Sequence, residues 1–201
     1  MSKKFSRVAV ATSLAAAAAL TMTACAMPFS VGGNTTMGGD GDQNSADIMF
    51  VEMMIPHHEQ AVEMSELILA KDGVDPEVVA LAEQIRAAQD PEIALMEGWL
   101  DDWGLPSMGD DMGGMEGMDH GGMGGMAGMM SDEQMAELES ADGATGAALF
   151  LELMIEHHVG AVEMAEDVID DGRDADVRVL AEQIIVSQTA EIATMRELLA
   201  R

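Results

Sequence analysis

A histidine pair flanked by methionines is the part of this sequence best suited to metal chemistry. His57 and His58 follow Met54 and precede Met64, so that methionine stands three residues before His57 and seven residues after it. Successive residues of a helix are rotated by about 100°, which places Met54, His57 and Met64 on one face, with His58 at its flank. Imidazole combined with thioether favours Cu(I), or its analogue Ag(I), over iron, manganese or magnesium.

The same motif occurs twice in the chain. Residues 50–66 and 150–166 are identical at eleven of 17 positions, with a constant offset of 100. A second match, at an offset of 99, relates residues 81–85 to residues 180–184. Two similar helical hairpins joined by a long crossover predict an all-α four-helix bundle with pseudo-twofold symmetry. The second copy of the motif consists of Met154, His157, His158 and Met164.

Polar residues and methionine also lie on the apolar faces of the helices that follow each motif. Polar side chains on a core face need hydrogen-bond partners, and an imidazole N–H from a facing helix is an obvious one. Glu92 and Glu191 therefore suit a supporting role, in which each accepts a hydrogen bond from a metal-bound histidine. An oxygen-ligated site stays possible as well. These supporting or alternative ligands are Gln89, Glu92, Met96, Gln188, Glu191 and Met195.

A metal-dependent oxidase with His and Glu ligands is the main alternative. Carboxylate-bridged di-iron bundles use a Glu-x-x-His motif on two helices and further glutamates from the other two. In this sequence, Met54 and Met154 occupy the positions three residues before His57 and His157. The exchange of a hard carboxylate for a soft thioether disfavours iron. A third hypothesis is a metal-free cell-surface interaction module, in which the histidines only pack.

Breaks in the helical periodicity divide the chain into the elements that would position these residues. Asp75 and Pro76 begin a helix with a cap followed by a first-turn proline, and Gly172 ends another helix. The predicted organisation is an export signal at 1–24, a flexible tether at 25–44 and a four-helix bundle at 45–201, with hairpins at 45–103 and 143–201, a methionine/glycine-rich crossover at 104–130 and a short helix at 131–140.

The crossover combines soft-metal ligands with glycine and has no periodicity that would build a core. A disordered linker is the simplest interpretation of such a composition. However, eight methionines lie within 23 residues, and they are poor filler for a solvated linker. We therefore expect an auxiliary arm that captures soft metal and hands it over. Its candidate ligands are Met112, Met115, Met118, His120, Met123 and Met126.

Charge and the N-terminal segment bear on location and partners. The formal net charge of −28 at pH 7 attracts cations, excludes a general nucleic-acid binder and argues against docking to anionic lipid through a basic patch. Lys3, Lys4 and Arg7 precede an apolar run, which is the layout of an export signal. Cys25, the only cysteine, stands where a bacterial lipobox places its lipid-modified residue. We expect a lipid anchor at Cys25; secretion after cleavage near residues 24–26 is the alternative.

Both copies of the motif carry the pattern Phe-x-Glu-x-Met-Ile-x-His-His-x-x-Ala-Val-x-Met. This pattern resembles domain-of-unknown-function family 305, and the resemblance covers about residues 45–100 and 130–200. It implies a ferritin-like four-helix fold, and the CopM-type members of the family imply an exported copper-binding protein. By the same likeness, the metal ligands would be Met54, His57, His58, Met64, Met154, His157, His158 and Met164.

Together these features predict an extracytoplasmic protein of the cell envelope that binds Cu(I), or silver, for buffering, resistance or delivery. It would act by coordination without turnover, so we do not expect an enzyme. The expected partners are the metal ion, a membrane reached through the lipid anchor, and a copper donor or acceptor protein, with no nucleic acid. Iron is the cofactor of the alternative oxidase hypothesis. The sequence indicates no particular oligomeric state.

Overall fold

The computed structural model describes residues 42–105 and 127–201. Every regular element within these ranges is a helix, so the predicted all-α fold is confirmed. The predicted export signal, Cys25 and most of the tether lie outside the described residues. The same is true of the candidate ligands of the arm, which are Met112, Met115, Met118, His120, Met123 and Met126.

Four long helices and one short helix follow the hairpin order expected from the repeat. The long helices begin after Asn44, Asp75, Asp142 and Asp174, whose side chains accept backbone N–H groups of the first turn. No helix in the described ranges is long and apolar enough to cross a membrane. The helices are α1 (Ser45–Leu69), α2 (Pro76–Asp102), α3 (Asp132–Ser140), α4 (Gly143–Asp171) and α5 (Ala175–Leu199).

The two helices that carry the histidine motifs, α1 and α4, contact each other inside the bundle. Each of them also packs against the helix that follows it in its hairpin, α1 against α2 and α4 against α5. The short helix α3, which follows the crossover, packs against both α1 and α4. The two motif copies are therefore held on neighbouring helices rather than at separate places in the molecule.

Two hydrophobic clusters fill the bundle, one on each side of the motif histidines. The α3-proximal cluster joins the C-terminal half of α1 to the N-terminal half of α4 and includes Leu138 of α3. The α3-distal cluster joins the N-terminal half of α1 to the C-terminal half of α4. This pairing shows that α1 and α4 run antiparallel. His57 and His157 stand at the midpoints of α1 and α4, and so lie between the two clusters.

A buried aspartate at the start of α1 ties the two hairpins together. Asp47 is fully buried and accepts backbone N–H groups of Arg173, at 3.0 and 3.1 Å, and of Asp174, at 3.2 Å. It also accepts the N–H of Asn44 at 2.8 Å. Gly172 leaves room for this carboxylate, because a Cβ there would overlap it. These bonds fix the start of α1 against the turn between α4 and α5.

Candidate metal site

Four histidines form one buried layer between α1 and α4. His57, His58, His157 and His158 are each at most 1% exposed. The rings of His57 and His157 face each other with centroids 3.7 Å apart and planes tilted by 40°. The centroids of the His157 and His158 rings are 6.3 Å apart. The structure thus brings both predicted histidine pairs into a single site, which we call the histidine layer.

In each hairpin a glutamate from the second helix holds one histidine. The Nε2 atom of His58 lies 2.7 Å from Oε2 of Glu92, and that of His158 lies 2.8 Å from Oε2 of Glu191. When Nε2–H donates to the carboxylate, Nδ1 keeps the lone pair that metal binding requires. Both Nδ1 atoms are buried and have no hydrogen-bond partner. His58 is fully buried although it lies at the flank of its face, because α2 packs over it.

The other histidine of each pair has no carboxylate partner. The Nε2–H of His57 donates to the carbonyl oxygen of Ala127 over 3.1 Å, and its Nδ1 has no partner. Neither ring nitrogen of His157 has a partner. A buried polar atom without a partner costs roughly 1–3 kcal/mol. A concentration of such atoms in one layer is unusual for a purely structural core and fits a site that receives a metal ion.

Burial keeps the two facing rings in the neutral form that binds metals. Desolvation is the largest of the effects that lower the pKa of His57 to about 3, and the neighbouring His58 adds to it. Desolvation also lowers the pKa of His157 well below its usual value, with a further contribution from His57. At neutral pH both side chains are uncharged, so a metal ion does not have to displace a proton from a charged imidazole.

Apart from Met130 of the crossover, the buried methionines form two trios, one on each side of the histidine layer. Met54 and Met64 are ten residues apart, which is about 15 Å along a helix, so they reach opposite clusters. Each trio therefore combines methionines from both hairpins, instead of one set belonging to each hairpin. The distal trio is Met54, Met96 and Met164, and the proximal trio is Met64, Met154 and Met195.

The described residues do not assemble a site from hard ligands and imidazole alone. In residues 42–105 and 127–201, no group of three His, Cys, Asp or Glu side chains is arranged to hold a metal ion. Gln89 and Gln188 are buried, but both amide atoms of Gln89 and the Oε1 atom of Gln188 lack hydrogen-bond partners.

The end of the crossover lies against the histidine layer, which sequence reasoning missed. Gln60 fixes it through two hydrogen bonds to the backbone of Met130, one donated at 2.9 Å and one accepted at 2.7 Å. Gly160 permits the close approach, because a Cβ there would overlap the carbonyl oxygen of Ala127. Gly128 adopts a φ of +78°, in the left-handed region that favours glycine. The repeat did contain a signal for this contact. Gln60 and Gly160 are equivalent positions, and they carry different residues within an otherwise similar motif.

Several solved structures share this fold. A candidate secreted DUF305 protein from Streptomyces coelicolor is 39% identical, with a TM-score of 0.66 over 78% of this chain and 93% of that chain. A DUF305 fragment from Deinococcus radiodurans is 32% identical, with a TM-score of 0.68 over 79% of this chain and 98% of that chain. The two DUF305 structures are therefore matched over nearly their whole length, and this chain over more than three quarters of its length.

A third similar structure is CopM in its Cu(II)-bound form, 33% identical, with a TM-score of 0.62 over 77% of this chain and 95% of that chain. CopM has also been solved with Cu(I) and with Ag bound, at 29% and 30% identity to this chain. No curated protein sequence matches the chain. The model of the family described as Domain of unknown function (DUF305) matches residues 47–199, which span both hairpins and the histidine layer. The chain therefore belongs to the DUF305 family, as its motifs predict.

Proposed function

We propose that this chain is an extracytoplasmic protein that binds Cu(I), and its analogue Ag(I), in the histidine layer. Its task is metal buffering, resistance or delivery, and it acts by coordination without turnover. The ligands come from the four histidines of the layer and from the thioethers of the two trios. The proposal includes export through residues 1–24 and a lipid anchor at Cys25.

The set of buried imidazole nitrogens without partners is the observation that carries the proposal. Nδ1 of all four histidines in the layer is in this state, and so is Nε2 of His157. A hydrogen-bonded core would satisfy these atoms, whereas a metal ion accepts the lone pair that each neutral ring carries on one of its two nitrogens. Glu92 and Glu191 hold two of the rings by Nε2, as carboxylates commonly do for metal-bound histidines.

The surroundings of the histidine layer favour a soft ion. Thioethers lie on both sides of it, and they prefer Cu(I) or Ag(I) to iron or magnesium. The similarity to CopM, which has been solved with Cu(II), Cu(I) and Ag bound, supports the same class of metal. The formal net charge of −28 favours the approach of any cation.

A metal-dependent oxidase with His and Glu ligands finds less support. Each of its candidate carboxylates, Glu92 and Glu191, already bonds a histidine nitrogen. Oxygen uptake measurements separate the two functions, because an oxidase consumes O₂ in proportion to the Fe(II) or Cu(I) supplied. We expect no O₂ consumption above that of the free metal ions.

An anaerobic competition titration of Cu(I) against a chromogenic chelator tests the proposal. The native protein is compared with a four-glutamine variant, in which each histidine of the layer is changed to glutamine. We expect tight binding by the native protein and an affinity at least about a hundredfold lower in the variant, since even outer groups around a metal contribute 10- to 100-fold. Met135→Leu, which changes a methionine outside both trios, is the matched control and should bind like the native protein.

Circular dichroism and thermal melting establish whether the four-glutamine variant is folded. If the folded variant binds Cu(I) as tightly as the native protein, the assignment to the histidine layer is wrong. Absence of binding in both proteins would remove the copper proposal altogether. If the variant does not fold, Met54→Leu combined with Met154→Leu tests the thioether part of the proposed site and should lower the Cu(I) affinity, because this exchange removes two sulfur ligands while it conserves side-chain volume.

A further inference from the structure

A groove of about 300 Å³ opens at the α3-distal end of the bundle. It lies between the N-terminal part of α1 and the C-terminal part of α4, and we call it the distal groove. Met49 in this groove is 59% exposed, so its side chain is accessible from solvent. The side chains that could bind a cation here are three thioethers and two carboxylates: Met49, Met53, Met164, Asp167 and Asp171.

Met164 connects the distal groove with the buried site. It lines the groove and also belongs to the distal trio, together with Met54 and Met96. Met164 is 8% exposed, whereas Met54 and Met96 are fully buried. It follows His157 by seven residues on α4, which is about two turns along the same helical face. Thioethers therefore lead from Met49 at the surface, through Met164, to the trio beside the histidine layer.

The internal repeat shows that packing alone does not require these groove residues. At the offset of 100, Met164 keeps a methionine counterpart in Met64. The two other thioethers are replaced by leucine in the second copy, and neither carboxylate has an acidic counterpart in the first. The counterparts of Met49, Met53, Asp167 and Asp171 are Leu149, Leu153, Leu67 and Lys71.

The opposite end of the bundle is covered. Leu138 of α3 and Met130 pack into the α3-proximal cluster. Lys71 donates hydrogen bonds to the backbone carbonyl groups of Glu139, at 2.7 Å, and Ala141, at 2.9 Å, where α3 ends. The two ends have therefore diverged, one toward aliphatic packing under α3 and the other toward thioethers and acids around a groove.

We propose that the distal groove is a second, outer soft-metal site through which Cu(I) or Ag(I) enters the bundle. The role as an entry port rests on the proposed function of the histidine layer, which is the destination of the ion. Asp167 and Asp171 attract the cation, and Met49 and Met53 capture it. Ligand exchange at Met164 then passes it to the distal trio. The ion keeps its oxidation state, and each step replaces one metal–ligand bond by another.

Nuclear magnetic resonance of the protein labelled with ¹³C at its methionine methyl groups tests the outer site directly. Met49→Leu and Met53→Leu assign the two resonances, and Ag(I) is the probe. We expect both resonances to shift on addition of Ag(I). In the double variant, the Ag(I) affinity of the outer site should fall by at least about tenfold, the low end of losses around metal sites. Met135→Leu is again the matched control and should leave the outer site intact.

Stopped-flow transfer of Cu(I) from a chromogenic chelator complex tests the role as an entry port. The double variant Met49→Leu/Met53→Leu should load the histidine layer about tenfold more slowly, in step with the loss of its two capturing thioethers, while the final affinity stays native. Asp167→Asn/Asp171→Asn should slow loading at low ionic strength and have little effect at high ionic strength. If both double variants load Cu(I) at the native rate, the distal groove is not the entry port.

The four-glutamine variant separates the failure of this proposal from the failure of the proposed function. If Met49 and Met53 still respond to Ag(I) in that variant while tight binding is lost, both proposals are supported. Tight binding by the native protein with no response of Met49 and Met53 overturns the outer site and leaves the histidine layer. A response of Met49 and Met53 without any tight site overturns the proposed function and the port, and leaves only a surface metal site.

Discussion

The two hairpins share a histidine–glutamate pair, but the surroundings of the pair differ between them. His57 in the first hairpin donates to Ala127 of the crossover, whereas neither nitrogen of the equivalent His157 has a partner. The side chain of Glu92 is 22% exposed, and that of Glu191 is 7% exposed. The repeated residues thus supply a common set of candidate ligands, and residues present in only one copy decide how each half is covered and reached.

The crossover accounts for much of this asymmetry. Its described end, residues 127–130, lies against Gly160 of α4 and is hydrogen-bonded by Gln60 of α1, so the two equivalent positions meet it in different ways. Its end places Met130 in the α3-proximal cluster, which then contains four buried methionines against three in the α3-distal cluster. The distal end keeps its groove. The two trios are therefore alike in their ligands and different in their access.

Acidification of the metal-free protein should have the largest effect, because it acts on the two facing rings. The pKa of His57 is about 3 in the folded chain, against its usual 6.5, so the unfolded chain binds more protons between these values. Stability therefore falls as the pH drops below 6.5, by up to about 1.4 kcal/mol per pH unit. Urea unfolding of the native protein and of His57→Gln at pH 7 and pH 4.5 measures this loss, which should be greater for the native protein. Equal losses would mean that the folded chain protonates His57 without penalty.

Gly160→Ala should destabilise the protein by about 2 kcal/mol, the middle of the range for an added methyl group without space. The reason is the overlap of the new Cβ with the backbone of Ala127. Gly98→Ala is the control, since no atom lies within 4 Å of a Cβ at this position of α2. The free energy of unfolding of this control variant should rise by roughly 0.5–1 kcal/mol, as expected when glycine inside a helix is replaced by alanine. Equal stabilities of the two variants in urea would show that the crossover does not rest on α4.

Glu191→Gln should weaken Cu(I) binding more than Glu92→Gln does. Both glutamates hold a histidine Nε2, but Glu191 is more deeply buried, so water replaces its carboxylate less easily. We expect a loss of about tenfold for Glu191→Gln, within the range for groups that support a metal ligand, and a smaller loss for Glu92→Gln. Competition titrations of the two variants measure the difference. The reverse order would mean that exposure does not control the strength of this support.

The helical period and the repeat predicted much of the fold and the candidate site, because both depend on residues close in sequence. They place His57, Met54 and Met64 on one buried face, and the structure buries all three completely. They also suggest a glutamate as acceptor for a histidine N–H, and Glu92 lies 2.7 Å from His58. The metal itself follows only from the softness of these ligands and remains part of the proposal.

The remaining features depend on contacts between residues far apart in sequence. The two trios arise from the antiparallel packing of α1 on α4, which no local pattern specifies. The position of the crossover end depends on Gln60 and Met130, which are 70 residues apart. Because glycine and methionine alternate there without a period, the sequence gives no face that would dock it. Asp47 was missed for the same reason, since its partners lie in the turn between α4 and α5.

Gln60→Ala should have the smallest effect and bears most directly on the difference between the two copies. It removes both hydrogen bonds to the backbone of Met130, each worth about 1 kcal/mol, and water should recover part of this loss because the contact is only partly buried. We expect a loss of stability of about 1 kcal/mol and faster hydrogen exchange of the Met130 amide. Gln84→Ala, on the exposed face of α2, is the control and should leave that amide protected.

The outcome distinguishes two origins of the asymmetry, because Gln60 and Gly160 are equivalent positions of the repeat. If the Met130 amide exchanges faster while Gly160 continues to accommodate Ala127, the side chain of the first copy fixes the crossover and the glycine of the second copy only makes room for it. If the amide stays protected in Gln60→Ala, the packing of Met130 in the α3-proximal cluster is sufficient to hold the crossover. In that case the hydrogen bonds follow from the docking rather than cause it.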